Sequence, residues 1–152
     1  MQKAFHFDSP KESYHSTAAV VWCFDARFEA ALGKLRKRMG LSNPDFVRIA
    51  GGAMSLASPE RDSDREFVLD QLRKSVRLHS TDRVILMLHS DCGAYGGLAA
   101  FGGDPQAEKG HHAAELNRAA ACVRAALPNI PVDCYFVDFE GVWRLEEAAA
   151  AQ

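Results

Sequence analysis

The sequence predicts an α/β fold: a mostly parallel central sheet of about four strands, helices on both faces, and a short antiparallel last strand. Three observations predict it. Apolar runs of strand length recur at residues 17–24, 83–88 and 132–137, and such continuous runs suit strands buried on both faces. Stretches of helical periodicity separate them, the alternation that gives parallel pairing through right-handed crossovers. No repeat, low-complexity linker or charge block divides the 152 residues, so one domain is expected, with a core from about 17 to 145.

The first strand, TAAVVWCF at 17–24, is rich in β-branched and aromatic residues. A helix is expected over 28–39, with Gly40 as its stop. DFVRIA at 45–50 is a second strand closed by Gly51 and Gly52. An amphipathic helix over 62–78 follows, its apolar face assigned to Phe67, Val68, Leu69, Leu72, Val76 and Leu78. The run RVILML at 83–88 is the third strand, with His89 at its carboxyl end. The glycine-rich stretch around Phe101 to Pro105 reads as a flap, and a helix over 110–127 stops before Pro128. VDCYFV at 132–137 turns through Phe139, Glu140 and Gly141 into a last strand at 142–145, and the tail EEAAAAQ is expected to be frayed or helical.

The composition, 47% hydrophobic and 25% charged with a formal net charge of -2, is that of a globular protein without a broad basic surface for nucleic acid. The apolar run at 84–88, like that at 18–24, is far short of the ~20 residues that span a bilayer. The polar start MQKAFHFDSPKESYHS lacks the apolar core of a secretory leader, so a cytoplasmic protein is expected. Its four cysteines then read as metal ligands or buried thiols rather than a disulfide framework. Cys23 and Cys92 sit at strand ends, whereas Cys122 and Cys134 fall inside predicted elements and are expected to be buried thiols.

Ligands of open α/β sheets bind beyond the carboxyl ends of the strands. Three such ends carry chemistry: Cys23, Asp25 and Arg27; then Arg48, Ala50, Gly51 and Gly52; then His89, Asp91, Cys92 and Gly93. Side chains two apart on extended backbone share a face, so Cys23 and Asp25 can look into one site. A guanidinium at Arg27 can clamp the Asp25 carboxylate through two parallel hydrogen bonds. His89 and Cys92 share a turn whose spacing lets both reach one ion, and the helix start expected after Cys92 favours its thiolate. Two thiolates and a neutral imidazole suit Zn²⁺ and leave a fourth tetrahedral position open. Asp91 is expected to cap the turn and Tyr95 to line a pocket, while Arg48 reads as structural or as a subunit contact. His111 and His112, adjacent on a helix, point about 100° apart and are not expected to act as a pair.

In these motifs the chain resembles the β-class carbonic anhydrases, most of all the compact prokaryotic type. C-x-D-x-R is present as Cys23, Asp25 and Arg27, R-x-A-G as Arg48, Ala50 and Gly51, and H-x-x-C-G as His89, Cys92 and Gly93. Ile49 stands where the family usually has Asn. The resemblance implies reversible hydration of carbon dioxide to bicarbonate, with one zinc per chain lowering the pKa of its bound water from ~15.7 towards neutrality. Thiolate ligands donate more charge than imidazoles, so activity is expected to rise on the alkaline side. Asp25 would orient the attacking oxygen and Arg27 would hold Asp25, while Gly51 and Gly52 let backbone approach a small linear substrate. The resemblance also implies a homodimer or higher homo-oligomer. It leaves open a hydrolase of carbon disulfide or carbonyl sulfide, and a zinc-binding protein without turnover.

Overall fold

The computed structural model describes residues 1–146, and the alanine-rich tail beyond Glu146 lies outside them. The elements run β1 (Ala19–Trp22), α1 (Glu29–Arg38), β2 (Asp45–Arg48), α2 (Met54–Ala57), α3 (Asp62–His79), β3 (Val84–His89), α4 (Pro105–Ala126), β4 (Val132–Val137) and β5 (Val142–Arg144). The five strands form one sheet in the order β2-β1-β3-β4-β5. The first four are parallel, and β5 returns antiparallel to β4.

This order decides which face each helix covers. From β1 the chain steps outward to β2, then reverses and steps across β1 to β3 and on to β4. A right-handed crossover in one direction places its helix on one face, and a step in the other direction places it on the opposite face. Thus α1 covers one side alone, with Leu32 and Leu35 against Val20, Trp22, Ile85 and Met87. On the other side Leu56 of α2, Val68 and Leu72 of α3 and Leu116 and Val123 of α4 pack on Val21, Leu86, Leu88 and Phe136. Every residue of β1 and β3 is buried. At roughly 1.5–3 kcal/mol for each large apolar side chain withdrawn from water, these two strands are the centre of the core.

Several boundaries differ from the sequence reading. On α3 the buried stripe runs through Val68, Leu69, Leu72 and Ser75, whereas Phe67 and Leu78 are exposed. Phe67 lies about 100° round the helix from the buried Val68, and Leu78 lies in the last turn, beyond the end of the buried stripe. The last helix begins at Pro105, before Gly110, because the Asp104 side chain accepts the Gln106 N–H and the proline occupies the first turn. The expected flap holds a 3-10 turn, Leu98–Phe101, and two positive-φ glycines, Gly102 and Gly103, that lead into this cap. The four-residue α2 had no sequence signature. Cys134 is buried, but Cys122 is only half-buried on the flank of α4.

A candidate metal centre at the switch point of the sheet

Because the strand order reverses between β1 and β3, the loops after these neighbours diverge to opposite faces and leave a crevice between their carboxyl ends. Cys23 follows β1 and His89 ends β3. After His89 the chain turns sharply, with Asp91 in the left-handed region at φ 52°, and this reversal returns Cys92 towards His89. The two sulfurs and a ring nitrogen of His89 all lie within 4.8 Å of one another. All three residues are buried.

The imidazole is held for ligation. Nδ1 lies 2.8 Å from the Ser90 carbonyl oxygen, which can only accept, so Nδ1 carries the proton and Nε2 keeps its lone pair. Nε2 is buried without a hydrogen-bond partner. A polar atom buried unpaired costs about 1–3 kcal/mol, and a metal between it and the sulfurs would satisfy it. The ring is further fixed by Phe28 and Trp22, at centroid distances of 4.7 and 5.5 Å. The donor set therefore fits a soft divalent cation.

The two thiols share their protons unequally. Hydrogen bonding from Cys92 draws Cys23 down to about 4, against the opposing effect of burial. Cys92 is pushed up, first by donating to Cys23 and then by burial. The N–H groups of Ala94 and Tyr95 do favour the Cys92 thiolate, as expected of the turn after it, but the neighbouring sulfur charge outweighs them. Burial opposes a charged His89, yet contact with Cys23 and the Ser90 carbonyl raises its pKa overall.

Beside the cluster, Arg27 Nε donates to both oxygens of Asp25 at 3.1 Å and its Nη2 donates to Oδ2 at 2.7 Å. The Arg27 backbone N–H adds a further bond to Oδ1. The guanidinium holds the Asp25 carboxyl at about 2, against some desolvation. Asp25 Oδ2 lies 3.9 Å from His89 Nε2, so an ionised acceptor overlooks the same space as the free lone pair. The other edge of Arg27 donates to Asp91, at 2.9 Å to both its carboxylate and its carbonyl. Asp91 in turn accepts the Leu98 N–H and spans the turn.

The remaining sequence candidates sit close by in different roles. Gly52, at φ 54°, backs onto the strand ends: a Cβ there would lie 2.6 Å from the Met87 carbonyl oxygen and 3.0 Å from the Cys23 nitrogen. Gly51 adjoins Met54 and Ala94. Tyr95 donates its hydroxyl to Glu115 at 2.8 Å and packs on His112. Arg48 pairs with Glu29 and donates to the Cys23 carbonyl, a structural placement. His111 is exposed while His112 is buried, so the two diverge as helix geometry requires; burial drives His112 down to about 4.

Two buried carboxyl groups on α4 were not anticipated. Glu108 accepts from Ser90 and Asp91, and Glu115 from Ser58, Tyr95 and Arg118. Burial works against ionisation of Glu115, but its donors hold it below the usual carboxylate range. Their signal in the sequence was register: Glu108, His112, Glu115 and Ala119 share the stripe that buries Leu116 and Val123.

A family model described as "Putative carbonic anhydrase" matches residues 13–148. An uncharacterized protein of Rickettsia conorii, RC0076, is 25% identical over 130 residues, covering 84% of this chain and 70% of its own length. An uncharacterized protein of Rickettsia bellii is also 25% identical over 130 residues, with 84% and 79% covered. Among solved structures, the β-carbonic anhydrase isoform I of Trichomonas vaginalis superposes with a TM-score of 0.61 at 15% identity, covering 92% of this chain and 87% of that one. The carbonic anhydrase of Streptococcus mutans gives 0.58 at 17% identity, with 88% and 84% covered. These superpositions establish a fold shared with the solved β-carbonic anhydrase, and with a family match over nearly its whole length the chain belongs to the family described as putative carbonic anhydrase.

Proposed function

We propose that this chain is a zinc-dependent enzyme that reversibly hydrates carbon dioxide to bicarbonate and a proton. One observation carries the reading: a buried, unpartnered His89 Nε2 shares a 4.8 Å cluster with two cysteine sulfurs and faces an Asp25 oxygen at 3.9 Å. Cys23, His89 and Cys92 would hold the ion, and zinc bound there supplies the Lewis acidity that makes water a nucleophile near neutral pH. Asp25 stays ionised under the Arg27 clamp, so it can accept a hydrogen bond from the attacking water and fix the direction of its lone pair. Arg27 keeps Asp25 in place and ties it to the Asp91 turn. Gly51, Gly52 and Tyr95 are proposed to border the substrate space, and residues 1–152 are proposed to form one cytoplasmic domain.

The test is stopped-flow carbon dioxide hydration by zinc-loaded protein across pH, beside Asp25→Ala. The variant should retain about one zinc per chain and lose at least ~10²-fold in turnover, the usual worth of a positioned proton acceptor. Full activity in that variant would remove Asp25 from the reaction, and an inactive zinc-loaded wild type would favour a binding role without turnover.

A second reading rests on Ile49. It lines a mostly apolar cavity of about 440 Å³ with Met54, Phe67, Val68 and Ala94, next to the Gly51 turn. Ser55, Ser58, Glu60 and Asp64 also line it, and an apolar side chain at position 49 suits carbon disulfide or carbonyl sulfide, linear substrates of the same shape. Sulfide release without carbon dioxide turnover would select this reading.

A further inference from the structure

Glu108 is 1% exposed, yet it touches neither the sulfurs nor the imidazole. Its Oε2 accepts from the Ser90 hydroxyl and its Oε1 from the Asp91 backbone N–H, each at 2.6 Å. Those two partners lead to the two halves of the site. The Ser90 carbonyl accepts from His89 Nδ1 and so sets the free lone pair on Nε2. Asp91 takes both ends of the outer edge of Arg27, whose other edge clamps Asp25. Asp91 holds a left-handed backbone conformation, φ 52°, that L residues adopt only when their surroundings impose it. Glu108 grips the peptide nitrogen of this residue from a helix anchored in the core.

We propose that Glu108 is the positioning residue of the metal centre, fixing through the Ser90–Asp91 turn both the tautomer and aim of His89 and the seat of the Arg27–Asp25 pair. The inference deepens the proposed function and rests on Cys23, His89 and Cys92 holding a metal. Groups that orient metal ligands from behind are typically worth 10–100-fold in affinity or activity.

The test uses Co²⁺, whose visible spectrum reports ligand geometry, with three variants of the whole chain. Glu108→Met keeps the volume and removes both acceptors. Glu108→Gln keeps an acceptor for the Asp91 N–H and can donate to Ser90 instead, so it serves as the rescue. Ser90→Ala removes one of the two links and carries the test if Glu108→Met does not fold. Chelator competition should show metal affinity reduced ~10–100-fold in Glu108→Met, with an altered cobalt spectrum at full loading, a smaller loss in Ser90→Ala, and near wild-type behaviour in Glu108→Gln. A folded Glu108→Met with wild-type affinity and spectrum overturns the proposal, as does an unchanged Ser90→Ala where Glu108→Met is unfolded. Carbon dioxide turnover of the wild type is read on the same preparations. Its absence, with the spectral differences present, sinks the hydration reading alone; wild-type turnover with no effect of Glu108 sinks the positioning role alone. A wild type that takes up no cobalt overturns both.

Discussion

Cys23 is drawn down and Cys92 pushed up, because a second thiolate in the same buried space is opposed by the first. A divalent ion removes that opposition, and its uptake must displace the Cys92 proton. The backbone around Cys23 is equally constrained. Gly52 is held at φ 54° with only backbone atoms of β1 and β3 at the place of its missing Cβ, and neither can move without shifting a strand. Gly52→Ala is therefore expected to cost about 2 kcal/mol or more and to lower Tm by roughly 4–8 °C for a chain of this size. Gly33, inside α1 with nothing within 4 Å, is the control: Gly33→Ala should stabilise by about 0.5–1 kcal/mol. Calorimetry of both variants decides, and equal Tm values would contradict the close-approach argument.

At the opposite end of the sheet, Asp45 at the start of β2 ties three segments together. It accepts from Tyr14 at 2.8 Å and from Ser75 of α3 at 2.6 Å, and it pairs with His79 at 2.8 Å. Burial alone would raise its pKa, but Ser75, His79 and Tyr14 outweigh that and leave it below the usual carboxylate value. The folded state thus binds this proton less tightly than the unfolded chain. The stabilisation is fully present above pH ~3.8 and is lost as the pH falls through the lower folded value. Asp45→Asn is expected to cost about 1–3 kcal/mol at pH 7 and progressively less in acid. Urea denaturation at several pH values measures this, and a pH-independent difference would contradict it.

The elements were unequally legible in the sequence. β1, β3 and β4 stood out because burial on both faces demands uninterrupted apolar residues, as in Val84 to Leu88. The start of α4 was misplaced because Gly110 interrupts the pattern, although Asp104 followed by Pro105 is a good cap signal. α2 is too short to show any period. The cluster of Cys23, His89 and Cys92 was legible since Cys23 and His89 stand at strand ends and Cys92 follows three residues on in the turn after β3, whereas Glu108 and Glu115 were not. Carboxyl groups ordinarily face water, and only the folded turn at Ser90 and Asp91 shows why one is buried there.

For the whole molecule, the reversal of strand order between β1 and β3 is what gathers residues 23 to 27 and 89 to 92 into one crevice. Coverage of the sheet is uneven, since among the described residues α1 is the one helix packed on its side of the core. Phe24 and Phe139 are exposed near the site, and Phe46 is exposed on β2, an edge strand. Apolar rings at an open edge favour a second copy, so light scattering at micromolar concentration should give at least twice the 16.7 kDa chain mass; a monomer would contradict this. Among the described residues no helix is long and apolar enough to cross a membrane. In the proposed function two sulfurs and one imidazole grip a single ion. Zinc-edge X-ray absorption of the loaded protein tests it most directly. The expected first shell holds two sulfurs at ~2.3 Å and two lighter atoms at ~2.0–2.1 Å; a shell with fewer or more than two sulfurs would contradict the account.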